Sequence, residues 1–77
     1  MKLKIGDWIK SPKLKGRGVI VGLKGEETLI ECEDKEDGKQ VFSALFGVKS
    51  LQNRASLRRL KRKDLVFITR PEVEEDK

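Results

Sequence analysis

The chain has 77 residues, 36% of them hydrophobic and 40% charged, with 18 Lys+Arg against 13 Asp+Glu for a net charge of +5. That is one small domain, and its apolar residues suffice for a single core with charge on nearly every solvent-facing position. With no His and one cysteine, Cys32, imidazole catalysis, an internal disulfide and a thiolate zinc site are excluded.

The N-terminus lacks the apolar core of a signal peptide, and no apolar run is long enough to span a bilayer. A cytoplasmic protein without a membrane partner is therefore expected. The sequence contains no phosphate-binding loop, dinucleotide fingerprint or nucleophile–base pair. Binding is expected rather than catalysis, with no metal, cofactor or small-molecule substrate.

In chain order, residues 5–10 read as a first strand with Ile5 and Ile9 on one side. Pro12 places residues 11–13 in a loop. Gly16 and Gly18 open a second strand through Leu23, with Val19 and Val21 facing one way and Ile20 the other. Lys24-Gly25 is a tight connection to a third strand, 28–33, where Leu29 alternates with Ile30 and Cys32; Cys32 reads as a small core residue. Residues 34–39 form a polar turn in which Asp37-Gly38 is suited to positive φ. A fourth strand follows at 40–46, apolar on both faces.

The one candidate helix comes next. Asn53 or Ser56 is a suitable cap, and Leu57 and Leu60 form a stripe at a spacing of three. The helix or helical turn is expected within 54–63. Residues 66–69 are a last strand, ended by Pro71. The domain spans 1–70, and 71–77 reads as an acidic flexible tail. Five short strands in so few residues favour a mainly β fold, a small, strongly bent, partly open barrel.

The opening Gly6-Asp7-Trp8-Ile9-Lys10-Ser11-Pro12, followed by Gly16-Arg17-Gly18-Val19-Ile20-Val21, resembles the start of the SH3/Tudor-like barrels of UvrD/PcrA-type DNA-repair helicases. It is similar also to the RNA-polymerase-binding domain of CarD-like factors and to a barrel of RapA-like translocases, which carries a Trp near the position of Trp8. Ala55-Ser56-Leu57-Arg58-Arg59-Leu60 looks like the Ala-x-Leu-x-x-Leu ending of the helicase-type domain. The resemblance covers residues 5–60. It departs from the pattern at Ser11, where His is common, and around Lys15, where a residue is added. It implies a Tudor-like barrel accessory to repair or transcription, with RNA polymerase or a helicase as protein partner.

The charge is segregated along the chain. Residues 1–24 carry seven basic groups against Asp7 alone, residues 26–37 seven acids against Lys35, and residues 49–63 seven basic groups with no acid. Arg54, Arg58, Arg59, Lys61, Arg62 and Lys63 form a cluster suited to phosphate, with Arg54, Arg58 and Arg62 on one face if the segment is helical. Lys13, Lys15 and Arg17 around Pro12 form a second basic cluster. Trp8 or Phe46 is the expected stacking or anchoring aromatic; four aromatics in all are too few for a methyl-cation cage as well as a core.

The function expected is sequence-independent binding of DNA or RNA through phosphate contacts, weakening with salt. The alternative is a protein-interaction module for RNA polymerase or another acidic surface.

Overall fold

Short alternating segments rich in β-branched residues, separated by glycine and polar turns, cannot bury their apolar sides alone and pair into one sheet. In the computed structural model, which describes residues 2–38, 40–41 and 56–71, the strands are Trp8–Lys10 (β1), Gly18–Lys24 (β2), Glu27–Cys32 (β3), Leu57–Lys61 (β4) and Val66–Thr69 (β5). They form a five-stranded antiparallel sheet in the order β4-β3-β2-β1-β5. The sheet is open, with β4 and β5 as its edges. None of the described residues forms a helix long and apolar enough to cross a membrane.

Register assigns the faces. On the inner face Ile9 lies opposite Gly18 and Phe67, Gly18 opposite Cys32, Ile20 opposite Ile30, Ile30 opposite Arg58, and Thr28 opposite Leu60. Ile9, Ile20, Ile30, Cys32 and Leu60 make the main core there, with Leu3, Leu14, Leu23 and Leu65 packed against it. On the outer face Trp8 lies opposite Val19, Val19 opposite Glu31, and Glu31 opposite Leu57. Leu29 and Leu57 form a second small cluster with Val21 and Val41.

Two glycines set the backbone path. A Cβ at Gly18 would collide with Ile30 Cγ2, so only glycine lets β2 and β3 approach there. Gly25, at φ +61°, is the first residue of the two-residue loop between Lys24 and Glu27, where a II′-type hairpin requires a positive φ. Register shifts between Ile20 and Gly22, and between Trp8 and Ile9, mark bulges that bend the sheet.

The largest departure from the sequence expectation is at residues 57–61. The segment is a strand; residues 54–55 of the expected helical span lie outside the described residues, Ser56 before the strand is in a 3-10 conformation, and a 3-10 turn, Arg62–Asp64, follows it. Leu57 and Leu60 do not share a helical stripe. As a strand their spacing puts them on opposite faces, Leu57 against Leu29 and Leu60 against the main core. The free edge of β3 supplies the hydrogen-bonding partner that the local pattern cannot reveal. Thr28 Oγ1 donates to the Leu60 carbonyl at 2.9 Å across this pair.

The expected 40–46 strand lies outside the described residues from Phe42 onward, and Gln40 and Val41 are not in a strand. The acidic turn also differs: Lys35–Gly38 is a 3-10 turn, and Gly38 does not adopt positive φ. The expected tail at 71–77 lies, after Pro71, outside the described residues.

Candidate nucleic-acid interface

The N-terminal loop is shaped by Ser11. Its buried hydroxyl accepts from Lys13 N at 3.1 Å and its carbonyl from Leu14 N at 3.0 Å. This turn carries Lys13 toward the far side of the sheet. Arg58 projects from β4 and donates from Nη1 to the Lys13 carbonyl at 2.7 Å. Lys13 Nζ lies 3.3 Å from Asp64 in the 3-10 turn. The loop and the β4 segment, 45 residues apart at Lys13 and Arg58, therefore adjoin.

Beyond this junction Arg62 and Lys63 line a groove of about 310 Å³ together with Leu3, Leu65 and Phe67. Arg62 Nη2 donates to the Gly25 carbonyl at 3.0 Å, which orients the guanidinium. Lys63 is exposed and has no carboxylate partner among the described residues.

The remaining basic candidates face acids. Arg17 binds Glu33 through two hydrogen bonds of 3.0 Å each, and this guanidinium holds the Glu33 carboxyl below the usual range. Lys15 Nζ lies 3.2 Å from Glu36, which raises its pKa. Arg59 and Lys61 lie on the outer face of β4, each 3.6 Å from an oxygen of Glu27. Asp37 is buried, and its Oδ2 accepts from the backbone N–H of Lys15 at 2.8 Å and of Gly16 at 3.3 Å. The acidic turn is thus folded onto the basic loop rather than standing apart from it. Arg54 and Phe46 lie outside the described residues.

The two described aromatics that reach the surface stand in different surroundings, Trp8 among mixed charge and Phe67 among cations. Trp8 lines an outer-face groove of about 400 Å³ with Val19, Glu31, Cys32, Glu33, Lys35 and Ser56, and Arg17 sits over its ring at 4.7 Å. Phe67 lies among cations, with Arg62 and Lys63 beside it and the Arg70 guanidinium 5.6 Å from its ring centre. A phosphate approaching Trp8 meets Glu31 and Glu33 as well as Lys35 and Arg17, whereas one approaching Phe67 meets Arg62 and Lys63.

Phe67 and Arg70 were not among the sequence candidates; the strand register sets Phe67 opposite Ile9 at the sheet edge, a placement that the local pattern does not signal. Arg70 is held by the buried Asp7, from Nε to Oδ1 at 2.7 Å and from Nη2 to Oδ2 at 3.0 Å. Asp7 Oδ2 also accepts from Lys4 N at 2.8 Å. The Arg70 guanidinium is the main cause of the lowered Asp7 pKa, opposed by burial. The Gly6-Asp7 pair thus has a structural purpose: Gly6 turns the chain at φ +99°, and Asp7, just before β1, holds Arg70, just after β5, at one end of that antiparallel pair.

Cys32 is free and buried, and burial pushes its thiol up to about 11, so it supplies no thiolate near neutrality. In comparisons with protein-family models, curated proteins and solved structures, nothing matches this chain.

Proposed function

We propose that this protein is a non-catalytic nucleic-acid-binding module that grips phosphates without regard to sequence through Lys13, Arg58, Arg62 and Lys63. The observation that carries the reading is the Arg58–Lys13 hydrogen bond together with the Lys13–Asp64 ion pair, which joins two basic segments distant in sequence into one surface. Asp64 offsets one charge on that surface. Arg58, Arg62 and Lys63, which face no carboxylate among the described residues, carry most of the contact. Lys13, shared with Asp64, and Arg17, Lys15, Arg59 and Lys61 contribute less, because phosphate must displace the carboxylates of Asp64, Glu33, Glu36 and Glu27 to reach them.

Readout of base edges in a major groove is not part of the proposal, since β4 offers a sheet edge and one 3-10 turn where a recognition helix would be needed. The strand order, the bulges and the 3-10 turn that carries the chain between the two edge strands support a small SH3/Tudor-like barrel. The resemblance of its opening supports a role beside repair or transcription machinery.

A second reading is a protein-interaction module. It is favoured by edge strand β5, where Val66 is 50% and Ile68 36% exposed, a surface onto which a partner's strand can add.

The test is fluorescence anisotropy of the full chain with labelled DNA and RNA at about 50 and about 200 mM salt. Three to four phosphate contacts predict a loss of affinity of about 40–150-fold on duplex DNA and about 20–50-fold on single strands across that range. No binding at the lower salt contradicts the proposal. Capture of a protein partner that survives nuclease treatment, with no nucleic acid bound, favours the second reading.

A further inference from the structure

The groove beside Arg62 and Lys63 has a floor that phosphate contacts alone do not explain. Leu3, Leu65 and Phe67 line it, and Leu3 and Leu65 pack onto the main core, so the floor is firmly supported. Its volume of about 310 Å³ is at the small end of the range for ligand sites. That is too small for a base pair with its backbone and suits a single flat ring. Phe67 is half-buried and carries the Arg70 guanidinium at 5.6 Å. Arg70 is itself fixed by two hydrogen bonds to Asp7. The ring is therefore oriented before any ligand arrives, and little side-chain freedom remains to be lost on binding.

An apolar seat rimmed by two cations has the two parts that recognise single strands: an aromatic face for a base, and positive charge for the adjoining phosphate. In duplex DNA the bases are stacked and paired, so no base can enter such a groove without being extruded.

We propose that the groove formed by Leu3, Leu65 and Phe67 seats one unpaired base, with Arg62 and Lys63 on its flanking phosphates, so that the ligand is single-stranded nucleic acid. This rests on the phosphate-binding reading above and specifies its ligand. It also assigns the stacking role to Phe67 in place of Trp8, whose groove mixes Glu31 and Glu33 with Lys35.

The experiment measures anisotropy of the full chain on four labelled probes of about 15 nucleotides: oligothymidylate, oligouridylate, a duplex, and a strand of the same length made of abasic sites. Stacking of one base predicts that oligothymidylate or oligouridylate binds about tenfold tighter than the abasic strand. The duplex, with about twice the phosphate density of a single strand, is expected to show a steeper salt dependence than the abasic strand. Phe67→Leu, which keeps apolar volume, is expected to lower base-bearing strands to the abasic level and leave the abasic affinity unchanged. Phe67→Trp is expected to retain or strengthen binding of the base-bearing strands.

Equal affinity for base-bearing and abasic strands overturns the base seat while leaving the phosphate surface standing. Failure of every probe to bind at about 50 mM salt overturns the underlying reading itself. The abasic comparison needs no substitution, so poor folding of a variant does not weaken it.

Discussion

At the scale of single residues, the most consequential contact is the one between Asp7 and Arg70. A carboxylate with 0% residual exposure is tolerable only because Arg70 and Lys4 N satisfy its oxygens. Arg70→Ala leaves that charge buried without its guanidinium, and a fall in Tm on the order of 10 °C is expected by thermal unfolding at neutral pH. The pH dependence has a definite sign. The Asp7 pKa is lower folded than unfolded, so its contribution is present above the unfolded carboxylate value of about 3.9 and is lost as pH falls through the folded value. Asp7→Asn is expected to flatten the acid limb of the stability curve below about pH 4; a limb as steep as the parent's contradicts the assignment. Cys32 gives the opposite case. With a folded pKa of about 11, the thiol is expected to resist iodoacetamide at pH 8 in the native protein and to react once denatured.

At the scale of elements, Gly18 and Leu57 carry the strongest expectations. Gly18→Ala forces a Cβ onto Ile30, and a loss of about 1–3 kcal/mol is expected in urea unfolding. Leu57→Ala removes a buried side chain of the second cluster, and about 2–4 kcal/mol is expected. How far the elements can be read from the sequence follows from what each owes to local pattern. Strands β2, β3 and β5 are legible because alternation and glycine punctuation are local signals, and Val66–Thr69 coincides with its expected span. Strand β4 was not legible. Leu57 and Leu60 fit a helix as well as they fit two faces of a strand, and only the unpaired edge of β3, a tertiary fact, decides between them. The 3-10 turn at Lys35–Gly38 was hidden for a related reason, since Asp37 is drawn inward by backbone donors of a distant loop.

At the scale of the whole molecule, the fold rearranges the charge that the sequence keeps in blocks. Seven acids in residues 26–37 read as a separate negative surface, yet Glu27, Glu33 and Glu36 pair with cations drawn from both basic segments. The candidate site was legible as two basic clusters; their contact, and their division into compensated and uncompensated members, was not, because both depend on which strand lies beside which. Of the candidate cations, Arg58, Arg62 and Lys63 face no carboxylate among the described residues, Lys13 shares Asp64, and Arg62 and Lys63 lie beside Phe67. Fields of this kind act over a Debye length of about 8 Å at physiological salt, so the position of the uncompensated cations matters more than the net charge of +5.

The most direct test of this division is the salt dependence of oligonucleotide binding in two paired variants. The slope of log K against log salt reports the number of phosphates neutralised. Arg62→Ala with Lys63→Ala is expected to reduce the magnitude of that slope by about 2. Lys15→Ala with Arg17→Ala, which removes cations already facing Glu36 and Glu33, is expected to leave it unchanged. Equal reductions in the two variants, or a reduction confined to the second, contradict the account.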